Sequence, residues 1–194
     1  MRLFVWVSDS LNRSRSVLSR HRKLLWIMAL VLVAGIAVGI WLGCVSQREY
    51  QPVWALIVVG AWRPFATWGR ALLLMLAGLA VFYLSLRFRY RGPYFVFVFA
   101  HAYLWGRLSA LSVVAGGAEG AISVVILIPL FCLCLFPSLW LLLTTLDVTI
   151  YSLWPPCNKP ILRRMLWAAA LGTLTLFVYV VVILGLVNAC INLV

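Results

Sequence analysis

Two ionisable residues, His101 and Arg107, fall inside a long apolar run of this chain. At membrane depth an imidazole can pass protons and a guanidinium can hold an anion, so such groups are functional candidates wherever a span contains them. Six positions apart on a helix, they stand roughly 240° from each other and share no face. Each also has a structural use. A neutral histidine can hydrogen-bond to a neighbouring helix, and Arg107 lies about eight residues from the end of its run, where a long side chain can snorkel toward water. The remaining acid–base inventory is small: the acids Asp9, Glu49, Glu119 and Asp147, and one other histidine, His21. No two acids are close in sequence, and no paired-histidine metal motif, glycine-rich phosphate loop or nucleophile elbow occurs. The expectation is a protein that is not an enzyme and uses no cofactor and no metal.

The five cysteines add little chemistry. Cys132 and Cys134, two apart, point to different sides of a helix and make poor joint ligands. Cys44 and Cys190 both fall near the same expected membrane face, so a disulfide between them is open only if their two helices are neighbours.

The elements that must carry these residues are membrane spans. Hydrophobic residues make up 65% of the 194 and charged ones 10%. A span takes about 20 apolar residues to cross roughly 30 Å of hydrocarbon. The runs 24–45, 71–86, 94–115, 121–146 and 165–187 meet or approach that length. The expected fold class is an all-α, polytopic membrane bundle of about five helices occupying 24–194. Residues 1–23 precede it as a basic segment. Phe4, Val7, Leu11 and Leu18 there follow helical spacing, which suits either an interfacial amphipathic helix or a solvated basic tail. Residues 52–70 are too short an apolar piece to span, and Trp54, Trp62 and Trp68 suit an outer interfacial helix or a re-entrant segment.

Charge gives a threading. Arg2, Arg13, Arg15, Arg20, Arg22 and Lys23 precede the first span; Arg87, Arg89 and Arg91 stand between the second and third; Lys159, Arg163 and Arg164 stand between the fourth and fifth. These twelve share one side of a five-span protein, against Arg48, Arg63 and Arg70 on the other. The positive-inside bias then places the N-terminus in and the C-terminus out. The net charge of +12 lies beside spans, where it meets anionic lipid headgroups rather than nucleic acid. Multi-pass membrane residence is expected, with the lipid bilayer and other membrane proteins as partners. A homo-oligomer is compatible with the sequence. The first run is longer than a signal-peptide core and ends without a small-x-small cleavage pattern, so it reads as a retained anchor.

Helix packing should rest on small residues. Gly35, Gly39 and Gly43 fall at intervals of four on one face of the first span, and Ala102, Gly106 and Ala110 do the same on the third. Gly116-Gly117-Ala118-Glu119-Gly120 makes a tight turn between spans three and four, and Pro129 and Pro137 are expected kinks in span four.

This layout resembles the stage II sporulation protein M family. The local likeness is Gly116-Gly117-Ala118-Glu119-Gly120 leading to Ile126-Leu127-Ile128-Pro129 and then Phe136-Pro137-Ser138. Leu130-Phe131 departs from the Gln-Asn that follows the first proline in that family, and the two prolines stand eight apart. The resemblance implies a five-span, non-enzymatic scaffold that organises peptidoglycan-remodelling proteins at the cell membrane. The rival expectation is a small permease or membrane subunit of a transporter, in which the kinked span, His101 and Arg107 would line a path. A scaffold needs neither residue for chemistry, so substitution of either is expected to leave its function largely intact.

Overall fold

A computed structural model describes residues 22–45, 56, 63–88, 90–146 and 159–192. All regular structure among the described residues is helical. The basic segment before residue 22, most of the stretch between the first two helices (with Trp54, Trp62 and Glu49) and the 147–158 connector (with Cys157) lie outside the described residues. Among the described residues, four helices are long and apolar enough to cross a membrane.

Helix α1, Arg22–Val45, is an uninterrupted apolar run. Its buried residues, Leu24, Met28, Gly35, Gly39 and Gly43, recur at intervals of four or seven and form one stripe. Trp26, Leu30, Val33 and Trp41 project from the remaining surface.

Helix α2, Pro64–Arg87, starts seven residues before the expected 71. Arg63 is extended and Pro64 occupies the first turn, where a missing N–H costs nothing because that group has no helical acceptor. The Thr67 N–H and hydroxyl both donate to the Arg63 carbonyl at 3.1 Å and close the turn. Residues 64–70 thus continue the second span as regular helix, and the shortfall in its length disappears. Arg87 lies in the last turn, favourable beside the negative helix end. The Phe88 N–H then donates to the Leu84 carbonyl at 2.9 Å before the chain reaches Gly92-Pro93.

Helix α3, Gly92–Leu146, is 55 residues long, more than twice what a bilayer requires. It is broken at Gly117, whose φ of 53° and ψ of −118° suit glycine alone. The two arms fold back on each other. Tyr94 reaches Ser138, His101 stacks on Phe131, and Gly120 lies against the Ser112 carbonyl. These pairs converge on Gly117 from both sides, which is the register of an antiparallel hairpin.

Helix α4, Lys159–Phe177, runs into a π-helical segment, Val178–Ile183, and then into α5, Leu184–Asn192. The three form one long apolar rod. The Leu184 N–H donating to the Tyr179 carbonyl marks the wider π turn.

Each packed pair has a direction. Gly35, Gly39 and Gly43 of α1 meet the α3 first arm at Phe99–Tyr103, Tyr103–Arg107 and Arg107–Ala110 in turn, so α1 and that arm are parallel. Gly78 against Phe97 and Phe82 against Tyr94 make α2 antiparallel to it. Cys134 meets Ala71 while Met75 and Pro137 converge on Gly172, which makes the second arm parallel to α2 and antiparallel to α4. The largest apolar core gathers at one end of the bundle, where Leu24, Met28, Phe82, Leu86, Tyr94, Val98, Leu135, Leu142 and Ile161 meet.

Candidate functional site

Three places in the bundle hold the residues singled out from the sequence. The first is the seam between α1 and the first arm of α3. A Cβ on Gly35 would stand 2.7 Å from the Phe99 carbonyl oxygen and 2.8 Å from the Ala102 Cβ. On Gly39 it would run into the Tyr103 carbonyl, and on Gly43 it would come within 2.7 Å of the Ala110 Cβ. In the opposite direction, a Cβ on Gly106 would strike the Ile36 carbonyl. The two small-residue rows therefore face each other. The partner of the α1 glycine face, open in the sequence, is internal. Such backbone contact is the main source of helix cohesion where lipid is as apolar as the side chains.

The second place is the inside of the hairpin. Tyr94 is 1% exposed and its hydroxyl donates to the Ser138 Oγ at 3.2 Å, which in turn donates to the Leu135 carbonyl at 2.9 Å. One helical turn and more toward Gly117, His101 is held between the rings of Phe131, at 4.6 Å, and Phe97, at 5.9 Å, both nearly parallel to it. Its Nε2 lies 3.4 Å from the Phe131 carbonyl oxygen. A carbonyl only accepts, so this contact puts the ring proton on Nε2 and leaves Nδ1 as an acceptor. Trp105 tilts against the other part of Phe131, with 5.0 Å between centroids. Nearer the turn, the Ser112 hydroxyl donates to the Leu108 carbonyl at 2.8 Å, and the Ser123 hydroxyl donates to the Glu119 carbonyl at 3.1 Å. Tyr94, His101, Trp105 and Ser112 follow at intervals of seven, four and seven, so polar side chains recur along one face of the first arm.

Four atoms of that arm are buried without a hydrogen-bond partner: His101 Nδ1, Trp105 Nε1 and Ser109 Oγ, and, away from the His101 stripe, Arg107 Nε. The arrangement contains an acceptor, a donor and a hydroxyl, but no carboxylate. Among the described residues, no three His, Cys, Asp or Glu side chains come close enough together to hold a metal.

The third place is the proline-bearing second arm. Pro129 has no N–H to offer the carbonyl four residues back, and its ring crowds that turn. Beside it, the Ile126 carbonyl accepts a hydrogen bond of 2.7 Å from the Tyr179 hydroxyl, which projects from the π segment. Pro137 meets α4 at Gly172, where an added Cβ would be 2.9 Å from the proline Cγ and 2.5 Å from the Met75 Sδ. Each proline thus has a matched feature on the last rod: a tyrosine for one and a glycine notch for the other.

Arg107 joins none of these polar contacts. His101 faces the hairpin, whereas the Arg107 backbone N and O lie against Gly39 and Gly43 of α1. The structure does not bring the two together, in line with their angular separation. Trp68, read from sequence as interfacial, packs edge-on against Phe177 at 5.8 Å and beside Leu130. Its substitution would disturb the bundle itself. Cys44 and Cys190 are free and exposed, and Cys132 is exposed while Cys134 is buried against the Ala71 carbonyl.

Sequence reading passed over Tyr94, Trp105, Ser109, Ser138, Gly172 and Tyr179. The first three share the His101 stripe, so a polar periodicity count along 94–112 would have found them. Gly172 and Tyr179 carry no such signal, because their role depends on which helix faces the prolines.

Comparison of the chain with protein-family models, with curated proteins and with solved structures gave no match in any of the three.

Proposed function

We propose that the protein is a non-enzymatic scaffold of the bacterial cytoplasmic membrane that anchors or organises partner proteins. By the resemblance to the stage II sporulation protein M family, those partners remodel peptidoglycan. The observation that carries this reading is the state of His101. It is 4% exposed, stacked between two phenylalanine rings and spent on a backbone carbonyl of the facing arm. A proton or solute path would need that group in a wetted, changeable site. As a packing element it suits a rigid bundle whose work lies in what it holds.

The proposed threading has five crossings, counting the two arms of α3 separately, with the N-terminus in and the C-terminus out. Two features support it. Each arm, about 25 residues or more, covers the hydrocarbon thickness alone. The parallel and antiparallel relations of these packed pairs are those of a chain that runs through five segments in alternating directions. Under this threading the connector containing Cys157 is cytoplasmic. A chain with Cys157 as its single cysteine should resist membrane-impermeant maleimide in intact cells and react after lysis. Labelling from outside would overturn the topology.

The scaffold reading is tested in proteoliposomes. The purified chain should show no proton flux above protein-free vesicles in a pH-gradient assay, and His101→Gln should change nothing. The same variant, at normal abundance, should retain the set of proteins cross-linked to the chain in native membranes. Flux that His101→Gln abolishes would replace the scaffold with the permease.

A further inference from the structure

Arg107 has no acid paired with it among the described residues. It lies fifteen residues after Gly92 and ten before Gly117 on the first arm of α3, about 22 Å and 15 Å along a helix axis. Neither end of the arm is near. Helical side chains lean toward the helix N-terminus, so Arg107 leans away from the closer end, at the hairpin turn. Snorkelling outward, which the sequence alone left open, is opposed by this geometry. Its Nε is buried with no hydrogen-bond partner. Its backbone is pinned between Gly39 and Gly43, so the arm cannot slide to bring the charge to water without breaking this close contact between helices.

Among the described residues the one acid is Glu119, exposed at the hairpin turn. Asp9, Glu49 and Asp147 stand outside the apolar runs of the sequence. A second copy would bring the same acids, none of them within an apolar run. Along the same side of the helix, Val96, Ala100 and Leu104 before Arg107 and Val114 after it are exposed and apolar, with Leu111 buried between Arg107 and Val114. They leave an exposed apolar strip with a single cation in it.

We propose that this strip docks a transmembrane helix of a different protein that carries an Asp or Glu near mid-membrane. A charge at that depth is costly alone and is offset by pairing. A carboxylate matches the guanidinium fork through two parallel hydrogen bonds. The apolar strip supplies the helix contact on either side. This inference rests on the scaffold reading and specifies its partner by chemistry. It also revises the expectation that Arg107 is dispensable: His101 serves the fold, whereas Arg107 serves recruitment.

The test uses the full chain in phosphatidylcholine nanodiscs and a labelled single-span polyleucine peptide with one central Glu, read by energy transfer. The Glu peptide should associate roughly tenfold more tightly than the same peptide with Gln. Arg107→Gln should remove the difference, and Arg107→Lys should keep part of it. Arg107→Leu should leave the melting temperature of the isolated chain unchanged or raise it, since no internal partner is lost. Equal binding of the Glu and Gln peptides would overturn the proposal and point to headgroup phosphate as the counter-ion. A lowered melting temperature for Arg107→Leu would overturn it in favour of a structural role. Neither result bears on the flux assay, so failure here and failure of the scaffold reading are separable.

Discussion

Gly39→Leu is expected to abolish the close α1–α3 seam and to be among the most damaging single substitutions in the protein. Even the first added carbon would overlap the Tyr103 carbonyl and stand 2.8 Å from the Arg107 nitrogen. Both obstacles are backbone, so no side-chain rotation relieves them. Overpacking a tight site typically costs about 1–3 kcal/mol, and a branched four-carbon side chain against two peptide groups belongs at or above the upper end. Gly39→Ala should already lower the melting temperature in detergent or nanodiscs, with leucine lowering it further. Gly185→Ala is the control, because nothing lies within 4 Å of its added Cβ. It should be neutral or gain roughly 0.5–1 kcal/mol from the better helix former. An unchanged melting profile for Gly39→Leu would mean that α1 does not pack there.

The hairpin turn should be nearly as sensitive, for two separable reasons. At Gly120 an added Cβ would collide with the Ser112 carbonyl, whose carbon is 2.5 Å away, and would approach the Val113 Cα at 2.9 Å. Gly120→Ala must push the arms apart where they begin. At Gly117 nothing crowds the Cβ, but φ of 53° with ψ of −118° is closed to other residues. Gly117→Ala should cost about 1–3 kcal/mol of backbone strain alone. Two spin labels, on cysteines replacing the exposed Val113 of the first arm and Ile122 of the second, separate the two outcomes. Their separation should persist in Gly117→Ala, where strain is local, and lengthen in Gly120→Ala, where the arms are displaced. Wild-type melting in both variants would show that the antiparallel hairpin is not the folded arrangement.

Helix existence was legible from sequence because a bilayer leaves the backbone only one local solution, and each run of apolar residues long enough to span must take it. Boundaries were less legible. The second helix begins at Pro64 and not at 71, because Arg70 interrupts the apolar run while leaving the helix intact. Charge is a good marker of loops and a poor marker of helix ends when a long side chain can reach water. The π segment at Val178–Ile183 left no trace in sequence, since its residues are ordinary β-branched and aromatic apolar types. Its Tyr179 contact exists only because the Pro129 turn lies opposite.

The candidate residues divide in the same way. Periodicity alone placed Gly35, Gly39 and Gly43 on one face and Ala102, Gly106 and Ala110 on another, because spacing of four is a property of the helix itself. That these two rows meet each other, in parallel, required the tertiary structure, since any small-residue face can accept any other. Angular spacing likewise separated His101 from Arg107, but their environments were not determined locally. A histidine in an apolar run reads the same whether it lines a water path or lies between Phe97 and Phe131. An arginine reads the same whether a neighbouring helix neutralises it or leaves it bare. What surrounds a side chain is supplied by residues distant in sequence, here about 30 positions away across the hairpin for His101 and about 65 for Arg107 across the α1 seam, and only the packed bundle brings them together.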